Sequence, residues 1–234
     1  MEKVVYLVQR APGISLEDFR ARYLSEHVPL VLQHCPRLRR YTVNLLQRDD
    51  YAFCDAIAPP FEGLHAVLEF WVDAIEDFAD KSRMYASPAG RAAVRQSADG
   101  LVSLAMGYRV REGVQRDYDR DWPLGQETPG WKLVAPLRRK EGLSHEEFAR
   151  HWTSTHAPLA LEHVLGMWRY VTNEVMEPIT PGAPEIDGIV SVNYRDKRSY
   201  ASPESEAIMR ADTDSFLQQP MPLRMSEWVM LGAA

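Results

Sequence analysis

The sequence predicts an α+β fold in which one β-α-β-β-α-β unit occurs twice, and three observations carry the prediction. Gly13-Ile-Ser-Leu-Glu-Asp-Phe19 recurs as Gly142-Leu-Ser-His-Glu-Glu-Phe148, His27-Val-Pro-Leu30 as His156-Ala-Pro-Leu159, and Arg40-Tyr-Thr-Val-Asn44 as Arg169-Tyr-Val-Thr-Asn173, all at one offset of 129 residues. Further on, Tyr85-Ala-Ser-Pro88 recurs as Tyr200-Ala-Ser-Pro203 at an offset of 115. The length of 234 residues divides into two units of ordinary domain size, and two copies of so long a period are not a solenoid. The expected division is a first repeat over 1–112, a linker over 113–129 and a second repeat over 130–234.

The elements follow in order. Residues 4–9 are rich in Val, Leu and Tyr and read as a strand that Pro12-Gly13 ends. Ser15 is a good N-cap, with Glu17 and Asp18 in the first turn; the second copy carries a Ser144-x-x-Glu147 capping box. Leu16, Phe19, Tyr23 and His27 then fall at helical spacing, as do Phe148, Trp152 and His156. Pro29 and Pro158 should kink or interrupt these helices, because proline removes an amide donor and clashes with the preceding turn. Second strands are expected at 41–46 and 170–175. Third strands are expected at 64–72 and 189–194, introduced by Gly63 and Gly188, after irregular stretches at 47–62 and 176–188. Second helices are expected around 74–98 and 197–218, and last strands at 101–110 and 223–231. Each half is then a ferredoxin-like split unit. Two such sheets in one chain make a pseudo-dimeric α+β barrel with its helices outside, and further pairing into a homodimer stays open.

Composition excludes several functions. The net charge of −6 argues against a nucleic-acid surface, and Arg37, Arg39 and Arg40 are too short a run to provide one. No apolar run approaches the ~20 residues of a membrane span. Cys35 and Cys54 lie in the first half without counterparts, so they are no duplicated disulfide framework. A reducing, cytoplasmic setting is expected. The N-terminus shows no signal-peptide pattern.

The chemistry-bearing residues are few. His27 and His156 each sit one helical turn after an aromatic, Tyr23 or Trp152, and two residues before a proline. Each could serve as general acid and base; the alternative is a structural imidazole bonded to carbonyls freed at the kink. Glu69 shares a strand face with His65, Val67 and Trp71, where an apolar setting would raise its pKa and allow a dyad with His27. The alternative is a rim ion pair. Tyr41 and Tyr170 alternate against Arg40 and Asn44, and against Arg169 and Asn173. Arg40 and Asn44 could hold an oxyanion, or satisfy the junction between the sheets. Tyr85 and Tyr200 mark a helix break and could reach a ligand. His34 and His163 follow the first histidines by seven residues, but no compact ligand cluster accompanies them, so no metal site is expected. No phosphate loop, zinc motif, nucleophile elbow or dinucleotide fingerprint occurs.

Taken as an ordered set, these residues resemble the EthD family of the dimeric α+β barrel superfamily. The pattern is Gly13-x-Ser15-x-Glu17-x-Phe19, the aromatic Tyr23, His27-x-Pro29-Leu30, Arg40-Tyr41-x-x-Asn44, and a strand led by Gly63 with Glu69 and Trp71. The second copy repeats it from Gly142 to Asn173 and Gly188, but its strand at 189–194 has no counterpart of Glu69 and Trp71. The first half is therefore expected to keep the chemistry, with the second partly scaffold. The resemblance implies decarboxylation, dehydration or cyclisation of aromatic, polyketide-like intermediates, in a superfamily that also holds cofactor-free monooxygenases and haem proteins. The expected function is a cofactor-independent lyase, cyclase or isomerase acting on a hydrophobic or aromatic small molecule. Its catalytic residues would be His27, Glu69 and His156. Its binding residues would be Tyr23, Arg40, Tyr41, Asn44, Trp71, Tyr85, Trp152, Tyr170 and Asn173. The alternative is a haem- or small-ligand-binding accessory protein.

Overall fold

The computed structural model describes residues 1–48, 61, 63–218 and 220–232. Most of the irregular stretch expected at 47–62, with Cys54, lies outside the described residues. The chain begins with β1 (Glu2–Arg10), followed by α1 (Leu16–Arg22), a π-helical turn (Tyr23–His27) and α2 (Val28–His34). Then come β2 (Arg40–Leu46), β3 (Leu64–Val72), the short helices α3 (Glu76–Ala79), α4 (Lys81–Met84) and α5 (Pro88–Ala98), and β4 (Val102–Arg116). The second half runs β5 (Trp131–Leu137), α6 (His145–His151), a second π-helical turn (Trp152–His156), α7 (Ala157–His163), β6 (Val164–Pro178), β7 (Gly188–Tyr200), α8 (Pro203–Phe216) and β8 (Leu223–Leu231).

Eight antiparallel strands close into a barrel in the order β1-β3-β2-β8-β5-β7-β6-β4. Read from β4, the first half contributes β4-β1-β3-β2 and the second half β8-β5-β7-β6, with seams at β2–β8 and β4–β6. Closure gives each of these strands a neighbour on both sides. No helix among the described residues is long and apolar enough to cross a membrane.

Three local outcomes differ from the sequence reading. Pro29 and Pro158 do not break their helices. The turn before each widens instead: the Val28 amide reaches back five residues to the Tyr23 carbonyl, and the Ala157 amide to that of Trp152. A π-helical turn absorbs the missing donor and re-aims the side chains around it. The helix expected at 74–98 is cut into three. Asp80 caps α4 through the Ser82 amide, and Ser87 caps α5 through the Gly90 amide. Finally, β4 runs to Arg116, four residues into the expected linker. Gly113 reads as a linker residue, yet it sits in the ladder where a Cβ would meet Thr172 Oγ1 at 2.6 Å. Gly188 has a similar cause, since a Cβ there would collide with the Trp152 indole.

The strands separate two environments. Outward-facing side chains such as Val43, Leu68 and Phe70 pack under the helices of the first half, and Val192 and Tyr194 under those of the second. Inward-facing ones form an apolar plug that includes Val5, Leu7, Val67, Val134 and Met225. Beside the plug runs an ionic ladder with Lys3, Glu69, Lys132 and Glu227, all at most 2% exposed.

Candidate functional site

The π-helical turns place one aromatic and one histidine of each half over the outer face of the barrel. In the first half the Tyr23 and Tyr41 hydroxyls meet at 3.2 Å, and the Tyr23 and His27 rings lie 4.9 Å apart. In the second half the Trp152 indole N–H donates to the Tyr170 hydroxyl at 3.2 Å. His27 Nδ1 lies 2.8 Å from Ser97 Oγ, which itself donates to the Val94 carbonyl at 2.8 Å. A hydroxyl has one proton to give, so here Nδ1 is the donor and Nε2 keeps its lone pair. His156 Nδ1 lies 2.6 Å from Asp212 Oδ2, and a carboxylate only accepts, so the tautomer is the same. The other Asp212 oxygen meets His151 Nε2 at 2.8 Å.

The partners set different basicities. Burial without a charged partner pushes His27 down to about 4. Burial also lowers His156, but the hydrogen bond and charge of Asp212 pull back against it. Both imidazoles are therefore neutral near pH 7, and only in the second half does a carboxylate offset part of the cost of an imidazolium.

Each histidine lines a cavity between helices and sheet. The first, about 440 Å³, has apolar walls that include Tyr6, Tyr23, Phe70, Met84 and Tyr85. The second, about 260 Å³, includes Trp152, Met167, Tyr170, Met209 and Tyr200. Arg198 enters the second cavity and donates to the Tyr200 hydroxyl at 2.7 Å, while its buried Nε–H has no hydrogen-bond partner among the described residues. An unpaired buried donor is costly, and an oxygen of a bound molecule would satisfy it.

Several expected site residues lie elsewhere. Glu69 does not meet His27. Along β3, Leu68 and Phe70 face the helices, so Glu69 and Trp71 point into the barrel. There Glu69 pairs with Lys3 at 2.7 Å and Lys132 at 2.6 Å and accepts from Asn44 Nδ2 at 2.9 Å. Burial alone would raise the Glu69 pKa, but Lys132 and Lys3 outweigh it and hold the carboxyl well below the usual range. This reverses the expected raised pKa. The ladder continues from Lys132 to Glu227 at 2.7 Å and from Lys3 to Glu112 at 2.7 Å, and Glu112 also accepts from the Trp71 indole at 3.0 Å. Every residue of β3 is buried, so alternation separates its two faces without telling which one meets the helices.

Asn44 and Asn173 do matching work inside the barrel, donating to the Val67 and Ile189 carbonyls of neighbouring strands at 2.8 and 2.9 Å. Arg40 stands opposite Trp71 in the ladder. Tyr41 is buried under the helices, stacked on Phe70 with centroids 4.6 Å apart. His163 bonds Ser205 at 3.0 Å, and His34 packs against Gly90. Sequence reasoning missed Ser97, Asp212, Arg198, Lys132 and Glu227. One signal was available: Lys3 and Lys132 stand in apolar strands at the same 129-residue offset as the motifs. Asp212 carried none, since it lies 56 positions from His156 on another helix.

The family model described as EthD domain matches residues 11–104 and 140–220. No curated protein sequence matches the chain. Among solved structures, an anthrone oxidase-like protein is similar with a TM-score of 0.61 at 9% identity, over 100% of this chain and 95% of the other. A candidate monooxygenase from Fusobacterium nucleatum subsp. nucleatum gives 0.56 at 9% identity, over 98% and 92%. Another from Lactobacillus acidophilus gives 0.53 at 8%, over 99% and 97%. At these identities the likeness is one of fold.

Proposed function

The chain belongs to the EthD family, and from that premise we propose that it is an enzyme of the lyase, cyclase or isomerase type. It carries out acid–base chemistry on a small aromatic or polyketide-like molecule. We read its architecture as two ferredoxin-like repeats, 1–112 and 130–234, fused into a pseudo-dimer, and its setting as cytoplasmic. The observation that carries the reading is the His156–Asp212 pair at 2.6 Å on the wall of an apolar cavity. With Nδ1 committed to Asp212, His156 Nε2 takes a proton from a carbon or hydroxyl of the substrate. Asp212 stabilises the imidazolium that forms. The negative charge developing on the substrate oxygen falls to the Arg198 Nε–H, and Tyr200 is held beside it by the same guanidinium. The proton then returns to another atom of the substrate or to its leaving group. This moves the proposed chemistry to the second half, because His27 lacks the carboxylate.

The test starts from a screen of aromatic and polyketide-like compounds for products by mass spectrometry. On any compound turned over, His156→Gln should lower kcat by about 10²–10⁴-fold, the usual contribution of a positioned general base. His27→Gln should leave kcat within about threefold, the effect expected when no interaction specific to the transition state is lost. Turnover undiminished in His156→Gln would sink the assignment.

A second reading is a haem- or small-ligand-binding protein, and the neutral imidazole of His27 favours it. The donor chemistry of the first cavity fits: Nε2 of His27 is an unprotonated nitrogen on an apolar wall. A bound haem would supply a redox-active iron, and His27 would hold it.

A further inference from the structure

We infer that the first cavity is a binding site for an acidic aromatic ligand, whose carboxylate sits among Lys81, Arg91 and Arg95 at the mouth while its ring system lies against Tyr6, Phe70 and Tyr85. The site is separate from the His156 cavity, so the inference stands apart from the proposed chemistry.

Charge is the first argument. The chain as a whole carries a net charge of −6, yet three cations and no acidic side chain line this cavity among the described residues. No carboxylate among the described residues pairs with any of the three. Arg91 and Arg95 stand one turn apart on α5, a like-charge pair that weakens a helix. The equivalent positions of α8, offset by 115, are Glu206 and Arg210, which form an ion pair at 3.4 Å. The same helical site is thus neutralised in one half and left doubly positive in the half with the larger cavity. Arginine is also the side chain whose planar fork best matches a carboxylate.

Lys81 supplies the second argument. Among the described residues, its ammonium meets the Phe78 carbonyl, at 3.5 Å, and the Phe78 ring, at 5.4 Å from the centroid. Burial lowers its pKa, and the charge of Arg91 lowers it further. An anion at the mouth would relieve both effects. At about 440 Å³ the cavity is in the range of small-molecule sites, and its walls are aromatic and aliphatic. At the inner end, His27 Nε2 offers an acceptor for a hydroxyl of the ligand. Apolar body, anionic outer edge and donating inner edge together define the ligand.

The carboxylate could belong to a free aromatic acid or to the propionate edge of a haem. The experiment therefore uses naphthoate, its neutral analogue naphthamide, and haemin. Calorimetric titrations at pH 7.5 would be run on wild type, on Arg91→Gln/Arg95→Gln, and on His156→Gln. Wild type should bind naphthoate about tenfold or more tightly than naphthamide, as a charge-assisted contact predicts. The preference should shrink in added salt, collapse in the double arginine variant and survive in His156→Gln. A Soret band that saturates at one haemin per chain, and is weakened in the arginine variant and lost in His27→Ala, would assign the carboxylates to haem. Naphthoate selectivity without such a band assigns a free aromatic acid. Equal affinity for naphthoate and naphthamide together with haemin binding indifferent to the arginines overturns the inference, as does failure of wild type to bind either acid.

Discussion

The two helix-covered cavities share a backbone device and differ in charge. In both, a π-helical turn sets an aromatic against a tyrosine hydroxyl and a histidine against a polar side chain on the following long helix. That side chain is Ser97 in one half and Asp212, at an offset of 115, in the other. Earlier on the same helices, Arg91 and Arg95 correspond to Glu206 and Arg210. One copy therefore combines a weakly basic imidazole with an electropositive mouth. The other combines a carboxylate-backed imidazole with a single lining cation, Arg198, among the described residues. Geometry here is inherited by both copies, while protonation and ligand charge are set by single substitutions. Under the two proposals above, duplication lets one cavity specialise in recognition and the other in proton transfer.

The strongest way to break the comparison is inside the barrel, where the halves meet. Lys132 bridges Glu69 and Glu227 and is fully buried, whereas its counterpart Lys3 bridges Glu69 and the 20%-exposed Glu112. Lys132→Met leaves Glu69 with Lys3 but takes from the buried Glu227 the ammonium it pairs with, and should cost about 3–5 kcal/mol in urea unfolding, the usual result of removing one partner of a buried ion pair. Lys3→Met leaves Glu69 with Lys132 and Glu112 partly in water, so it should cost roughly half as much on the same grounds. Equal losses would mean that the ladder is symmetric after all.

Acid sharpens the contrast between the histidines. Burial holds the folded-state pKa of His27 at about 4, below the ordinary imidazole value of 6.5, so between these values the unfolded chain binds more protons. Stability from this group is present above pH 6.5 and is lost as pH falls toward 4. The full loss is on the order of 3 kcal/mol. His27→Gln should flatten that part of the stability curve. His156→Gln should flatten it less, since Asp212 offsets part of the burial. Identical slopes for the two variants would contradict the different roles of Ser97 and Asp212.

The fold was legible in the chain because the repeats obey simple spacing. Tyr23, His27, Trp152 and His156 were found from helical periodicity and a following proline, and all four line the cavities. What failed was information that periodicity does not carry. Glu69 alternates correctly with Leu68 and Phe70, but a strand buried on both sides does not say which face meets the helices. Pro29 and Pro158 looked like breaks because a π-helical turn repairs the hydrogen bonding by a shift of one residue, invisible in composition. Ser97 and Asp212 reach their histidines only after α5 and α8 fold back across the sheet, a contact spanning 70 residues in one half and 56 in the other.

The smallest effect isolates the partner itself. Exchanging the two partners, Ser97→Asp in one protein and Asp212→Ser in another, should move the two histidines in opposite directions. A carboxylate within hydrogen-bonding reach of an imidazole favours the charged form, so Ser97→Asp should raise the His27 pKa and Asp212→Ser should lower that of His156. Both shifts follow from the gain or loss of a close opposite charge. Ser97→Asp also removes the hydroxyl that donates to the Val94 carbonyl, so the rise at His27 should be the smaller of the two. Ring resonances of His27 and His156 followed by NMR titration give both values. Opposite shifts show that basicity belongs to the partner; a His27 pKa that stays put would place it in the cavity walls instead.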